Sequence, residues 1–374
     1  MSYLAGIDQL PLACLQGRRC ALLTNAGALA ADGSRSVDAL LRHGIDVSLL
    51  FSPEHGLAAT AADGADVADD VDGATGIPVI SLYGQHKEVP EDAFARFDTM
   101  VVDLPDVGVR YYTYPDTLFT VMEACAAAGR PVVVLDRANP LGAVVEGPCL
   151  EEGFCSAVGR YGVPVRHGMT LGEYAMFAVR KCGLAQGVDL TVVKPVFQPA
   201  VAEPLFTDFG RQWRNPSPNL RSFEALCCYP GTCLFEGTNL SEGRGTDTPF
   251  MNVGAPFIDS KAVLEAVGRR EFAGLALREI AFTPETNKYA GERCGGIFFE
   301  VTDVRRCRAF EPALRVLDAV RKLYPNDFSF RAEHFDRLLG SDRYRLGSES
   351  LSELLSRAEI QSEEFQQEKI DYIS

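Results

Sequence analysis

The sequence predicts an α/β protein in which a doubly wound parallel sheet is followed by a second, smaller α/β domain. Three observations predict it. Five short apolar runs open the chain, helical periodicities lie between several of them, and the texture changes after about Gly245. The runs cover residues 20–24, 47–51, 78–82, 100–104 and 131–135, each bounded by turn formers. Unbroken apolar runs, rather than alternation, suit strands buried on both faces of a parallel sheet.

After the first run, Val37, Leu40 and Leu41 follow Ser36 as the expected cap of a helix that Gly44 closes. After the fourth, Leu118, Val121, Met122 and Cys125 recur at helical spacing until Gly129. A sixth unit follows, a helix from Leu171 to about Cys182 and a strand over 189–193. Alternation of strand and helix implies right-handed crossovers and a doubly wound sheet. Beyond Gly245, residues 277–283 and 296–301 read as strands. Phe310, Leu314, Leu317 and Val320 share one face of a helix with Glu311 and Pro312 in its first turn. The charged C-terminal stretch is helical, with Leu351, Leu354 and Leu355 as its apolar stripe. The division falls at 1–244 and 245–374. There is no internal repeat.

The 374 residues imply two or three domains, and a 47 % apolar content is ample for their cores. A net charge of -15 argues against nucleic acid and anionic membranes as partners, since both need cationic patches. Eleven cysteines include no C-x-x-C pair, so they read as reduced thiols of a cytoplasmic protein. The opening residues carry no basic region or leader-like apolar stretch, and no window approaches the ~18 apolar residues of a membrane span.

In parallel sheets, ligands bind beyond the carboxyl ends of the strands, so the residues just after each run are the informative ones. Glu54 and His55 follow the second run. Asp106, Arg110, Tyr111, Tyr112 and Tyr114 follow the fourth, and Asp136, Arg137 and Asn139 the fifth. Arg166, His167, Asn219, Asn239, Glu242 and Arg244 lie further on. Each has a structural alternative. Glu54 can cap a helix, His55 can sit hydrogen-bonded in a core, Asp106 can cap a turn, and Asp136 with Arg137 can form an ion pair. The tyrosines suit a core or a sugar face. Thr170 to Glu173 fits a capping box. A metal on His55, Asp106 and His167 is weighed, but the set lacks ligand spacing and none is expected. No G-x-G-x-x-G, P-loop or G-x-S-x-G is present, and no cofactor is expected.

The strings SPEHG (52–56), TGIPVISLYG (75–84), DLPDVGVRYYTY (103–114), DRANP (136–140), RHGMTLGE (166–173), PSPN (216–219) and EGTNLSEGRGT (236–246) together resemble the exo-β-N-acetylmuramidase family. GID (6–8) and FDRLLGS (335–341) fit as well, so the resemblance spans nearly the whole chain. It implies a Rossmann-like catalytic domain at 1–244 and a smaller domain at 245–374 closing the active-site cleft. It also implies removal of non-reducing terminal N-acetylmuramic acid (MurNAc) from peptidoglycan-derived sugars in cell-wall recycling, with Glu54 as acid/base. Three strings depart from the family pattern. Leu57-Ala58-Ala59 replaces a loop bearing Arg and Gly, TNAG replaces TN-x-TG, and DLPDVG replaces DIQDVG.

Glycoside hydrolysis needs a proton donor for the leaving oxygen and a group to balance the charge on the sugar ring. The end of a buried strand is a place where a carboxyl is desolvated enough to keep a proton. Glu54 is the expected donor, with His55 orienting it or touching sugar. Asp106 and Glu242 are the candidates for the second carboxylate, and the substrate's acetamido oxygen is the alternative. Arg110, Arg137, Arg166 and Arg244 are the candidates to pair with the lactyl carboxylate. Tyr112, Tyr114, Asn139, His167, Asn219 and Asn239 complete the expected substrate-binding set. The expected partner is a MurNAc-containing saccharide or muropeptide, met by a monomer or homodimer. The rival classes are a glycosidase for another amino sugar, a metal-assisted hydrolase, and a non-catalytic sugar binder.

Overall fold

The structure, a computed structural model, describes residues 2–61, 68–83, 86, 88–201 and 203–373. Strand β1 (Ser2–Leu4) lies apart, paired antiparallel with β11 (Val196–Gln198). The main sheet is built from β2 (Arg19–Thr24), β3 (Asp46–Ser52), β4 (Asp70–Val71), β5 (Pro78–Ser81), β6 (Thr99–Asp103), β7 (Val132–Leu135) and β10 (Leu190–Val193). Its order is β10-β7-β6-β2-β3-β5-β4. All neighbours are parallel except the short edge strand β4, which runs antiparallel to β5. The chain works outward from β2 through β3 to β5, then returns to β6 on the other side of β2. The strand order therefore reverses between β2 and β6, as in Rossmann-like sheets.

Side chains on these strands alternate between two cores. Ala21, Leu23, Phe51, Val102 and Val134 face one, and Cys20, Leu22, Leu50, Val101 and Val133 the other. Both faces are covered, which is why the strands read as unbroken apolar runs. Helices α2 (Tyr114–Ala127) and α3 (Leu171–Cys182) pack on the first face. Helix α1 (Ser36–Arg42), together with Tyr3, Ala5 and Ile7, packs on the second. All six predicted parallel strands are present within a residue or so of their expected limits. The capping box of α3 forms, with Glu173 N donating to Thr170 Oγ1 at 3.1 Å and Thr170 N to Glu173 Oε2 at 2.9 Å.

Ser36 does not cap α1; it is the first helical residue, and its hydroxyl donates to Asp103 at 2.5 Å. The tertiary partner, a buried carboxylate at the end of β6, outcompetes the local cap.

A hairpin of β8 (Glu146–Cys149) and β9 (Pro164–Arg166) leads toward the second part of the chain. That part holds α4 (Phe223–Thr232), α5 (Ser260–Val267), α6 (Phe310–Leu323), α7 (Ala332–Leu339), α8 (Arg343–Leu346) and α9 (Leu351–Glu368). They surround an antiparallel sheet of order β12-β14-β13, from β12 (Asn252–Ala255), β13 (Leu275–Phe282) and β14 (Cys294–Val301). β12 and α4 were not expected. β12 is four residues with a central glycine, and α4 carries Pro230 and Gly231 near its end. Gly231 lets α4 approach the chain just ahead of α6 closely, since a Cβ there would meet Ala309 O at 2.0 Å. One continuous core runs from Ala21 to Phe365. Helix α9 lies against the hairpin, with Ser362 Oγ donating to Gly147 O at 3.1 Å. Among the described residues no helix is long and apolar enough to cross a membrane.

Candidate active site

β3 ends at Ser52 and the chain turns at once, Gly56 N donating to Pro53 O at 3.0 Å. His55 and Gly56 take left-handed φ of 69° and 73°. Glycine is at ease there, and histidine is among the few other residues found there repeatedly. The turn leaves Glu54 at the strand end, 8 % exposed. Thr113 Oγ1 donates to Glu54 Oε2 at 2.7 Å. His55 Nδ1 lies 2.9 Å from Ala61 O. A carbonyl only accepts, so Nδ1 carries the proton.

Glu54 and His55 line a cavity of about 550 Å³. One wall comes from the segment after β6, with Tyr111, Tyr112 and Thr113, and from α2 with Asp116. Tyr112 donates to Pro216 O at 2.7 Å, which ties this wall to the 216–220 loop carrying Ser217 and Leu220. The remaining wall belongs to the chain after Phe223, with Tyr229, Glu236, Arg244 and Phe250. Phe250 holds a left-handed φ of 63°, costly for so bulky a residue. Its ring lies 5.0 Å beneath the Arg244 guanidinium and edge-on to Tyr229 at 4.8 Å.

Arg244 Nη2 is 2.6 Å from Glu236 Oε1, and its Nε is 3.1 Å from Glu242 Oε1. His334 Nε2 approaches Glu236 Oε2 at 3.5 Å. Burial pushes the Glu236 pKa up, but the Arg244 guanidinium and His334 outweigh it and hold the carboxyl down at about 2. Lys288 Nζ lies 3.0 Å from Glu242 Oε2 and donates to the Leu240 carbonyl. Glu242 thus sits behind Arg244, 3 % exposed, and does not line the cavity.

Of the expected site residues, Glu54, His55, Tyr112 and Arg244 meet in this cavity. The rest are placed elsewhere, for reasons of packing. Asp106 lines a different cavity of about 400 Å³, near the reversal of strand order. Its Oδ2 accepts from Gly108 N at 2.9 Å, its Oδ1 is buried without a hydrogen-bond partner among the described residues, and burial pushes its pKa up to about 6. Arg110 is 2 % exposed and donates to the carbonyls of Pro148, Val163 and Leu338 at 2.7–2.9 Å. Arg166 donates to the Leu141 and Cys307 carbonyls. Arg137 pairs not with Asp136 but with Asp103, at 2.5 and 2.9 Å. Asp136 instead accepts from Thr170 Oγ1 at 2.5 Å and Gly172 N at 2.9 Å, and burial pushes its pKa up to about 7.

Tyr114 bonds Asn25 and the Pro216 carbonyl behind the cavity wall. Asn139 spans Met169 O and Leu141 N, each at 2.9 Å. Asn239 clamps Asp327 O at 2.7 Å and Ser329 N at 2.9 Å. Asn219 stands beside the lining residues Ser217 and Leu220, its N–H donating to Ser217 Oγ at 3.3 Å. His167 is fully buried; burial, with Lys369 and Arg110 nearby, pushes its pKa down to about 3, so it is neutral. The trio weighed for a metal is therefore dispersed: His55 in one cavity, Asp106 in another, His167 in the core. No group of three such ligands forms among the described residues.

Thr113, Asp116, Glu236 and Phe250 line the cavity and were not expected. Thr113 and Glu236 lie inside the strings already singled out, but a loop string carries no periodicity to show which side chain turns inward. The substituted residues 57–59 do not enter the Glu54 cavity either. Leu57 and Ala58 line a separate cavity of about 410 Å³, and Leu57 O accepts from Ala26 N at 2.7 Å.

Family models described as exo-beta-N-acetylmuramidase NamZ, N-terminal and C-terminal, match residues 20–224 and 227–374. The chain is 37 % identical over 365 residues to the peptidoglycan beta-N-acetylmuramidase NamZ of Bacillus subtilis (strain 168), covering 96 % of this chain and 87 % of that relative. Two crystal structures of DUF1343 family proteins from Bacteroides fragilis NCTC 9343 share the fold. One has a TM-score of 0.89 at 26 % identity, over 99 % of this chain and 98 % of that one. The other has a TM-score of 0.77 at 29 % identity, over 100 % and 99 %.

Proposed function

This chain belongs to the exo-beta-N-acetylmuramidase NamZ family and is a glycoside hydrolase acting on peptidoglycan-derived sugars; on that premise we propose that it releases MurNAc from their non-reducing ends with Glu54 as proton donor. The observation that carries this is the buried Glu54 carboxyl, at a strand end in a cavity of about 550 Å³, with Thr113 bonded to one of its oxygens. Thr113 fixes the carboxyl through Oε2, and the carboxyl carries the catalytic proton. Glu54 gives that proton to the glycosidic oxygen as the C1–O bond breaks, the electron pair staying on the departing sugar. Water then adds to C1 and returns a proton to Glu54. His55, held by Ala61 O, lines the cavity beside Glu54 and touches the sugar there. Tyr112, Tyr229 and Phe250 offer ring surface to the sugar's apolar face.

Among the four arginines expected to meet the lactyl carboxylate, Arg244 is the cavity residue, and we assign it that role. A planar guanidinium can hold Glu236 and Glu242 while it faces the lactyl group, which the compact ammonium of lysine cannot. Free MurNAc is expected to inhibit the wild type about tenfold more strongly than N-acetylglucosamine (GlcNAc), a margin of about 1.4 kcal/mol. Arg244→Lys is expected to erase that preference; inhibition constants for the two sugars check it, and an unchanged ratio removes Arg244 from the assignment.

Thr113→Val is expected to lower kcat about tenfold, the loss of a hydrogen bond of about 1.4 kcal/mol to the acid/base. Thr113→Ser restores the rate. Turnover of the three proteins on the disaccharide is the check.

The eleven unpaired cysteines suit a reducing cytoplasm and a role in cell-wall recycling. The assembly proposed is a monomer or a homodimer. The substrate is a MurNAc-terminated saccharide or muropeptide.

A further inference from the structure

We propose that Glu236 is the second carboxylate of the hydrolysis, the ionised group set against the sugar ring while Glu54 protonates the leaving oxygen. The proposal deepens the reading of Glu54 given above and rests on it.

The two carboxylates expected from the sequence do not meet the need. Asp106 lines the other cavity, and Glu242 is sealed behind Arg244 by Lys288. Glu54, Asp116 and Glu236 remain as the carboxylates of the catalytic cavity among the described residues. Asp116 rides on α2, close to Thr113 and therefore on the side of Glu54, and is paired with Arg160. Burial pushes its pKa up, so its surroundings disfavour a fixed negative charge.

Glu236 arrives from a different element, the turn Cys233–Gly237 after α4. That turn is pinned, because a Cβ on Gly237 would lie 2.5 Å from the Phe335 backbone. Its side chain keeps 20 % exposure, toward the cavity it lines. Arg244 at 2.6 Å and His334 at 3.5 Å keep it ionised. Two carboxyls from different elements in one cavity, one of them held charged, are what acid-assisted glycoside cleavage divides between its partners.

Glu236 acts through its charge and forms no bond. As C1–O breaks, positive charge builds on C1 and the ring oxygen, and the carboxylate balances it until water adds at C1. Arg244 and His334 fix the position of that charge.

The test compares Glu236→Gln with Glu54→Gln on MurNAc–GlcNAc disaccharide and on a nitrophenyl β-MurNAc, whose leaving group departs without a proton. Glu236→Gln is expected to lose at least about a hundredfold in kcat on both substrates with little change in KM. Glu54→Gln is expected to lose that much on the disaccharide only. Glu236→Asp, which keeps the charge but withdraws it, is expected to lose about tenfold on both and stands in if the amide variant fails to fold. Glu236→Gln within about threefold of wild type on both substrates, or recovery on the aryl substrate like that of Glu54→Gln, overturns the proposal. A Glu54→Gln variant that keeps its disaccharide activity, beside a Glu236→Gln variant that has lost both, overturns the reading of Glu54 and leaves Glu236 standing.

Discussion

Glu54→Gln is expected to release MurNAc from MurNAc–GlcNAc disaccharide at least about a hundredfold more slowly than wild type, the range that general acid catalysis supplies. Glutamine fills the same volume at the end of β3, and its amide oxygen still accepts from Thr113, so fold and substrate affinity stay near wild type. It has no acidic proton to give the departing oxygen. With nitrophenolate as leaving group that proton is not needed, and most of the lost rate returns. Free MurNAc assayed against time on both substrates, with a thermal melt of each protein, checks this. A variant that cleaves the disaccharide within about tenfold of wild type removes Glu54 from the role of acid. Wild type that releases nothing from either substrate restores the non-catalytic alternative. Leu57 and Ala58, two of the substituted residues, line a neighbouring cavity that His55 also borders and do not line the one that holds Glu54.

Arg137→Met is expected to destabilise the protein by about 3–5 kcal/mol, the cost of leaving a buried carboxylate without its counter-charge. Asp103 is fully buried at the end of β6 and receives Arg137 through Nε at 2.5 Å and Nη2 at 2.9 Å, while Arg137 Nη1 holds Leu29 O at 3.0 Å. Methionine fills the space but supplies no donor. Asp103→Leu combined with Arg137→Met recovers much of the loss, because the unpaired charge goes with it. Denaturant midpoints of the single and double variants measure both effects. The protein that remains folded keeps its KM for MurNAc substrates. A stable Arg137→Met protein with a raised KM would return Arg137 to the substrate-binding set.

Much of this protein is legible in its sequence. The six parallel strands announce themselves because a sheet covered on both faces needs apolar side chains at successive positions, and chain order alone then suggests double winding. The α3 boundary is written in Thr170 and Glu173, which satisfy each other within one turn. Glu54 is legible because it follows a buried strand directly, and a strand end is where a parallel sheet meets its ligand.

What stayed hidden is the direction of side chains in irregular loops. Arg110, Arg137, Arg166 and Arg244 all sit in polar strings, and nothing local separates a guanidinium that meets a ligand from one that satisfies buried carbonyls. Packing separated them. Arg110 and Arg166 were drawn to carbonyls left without partners by the hairpin and its neighbours, Arg137 to Asp103 across the sheet, and Arg244 alone to the cavity that holds Glu54. Glu236 and Glu242 lie six residues apart in one string. Phe335 pressing on Gly237 and Lys288 reaching Glu242 decided which of them faces the cavity. Local sequence determines the periodic elements, whose contacts are near in the chain. The charged groups are sorted by partners outside their own turn or strand, and only the tertiary structure supplies those.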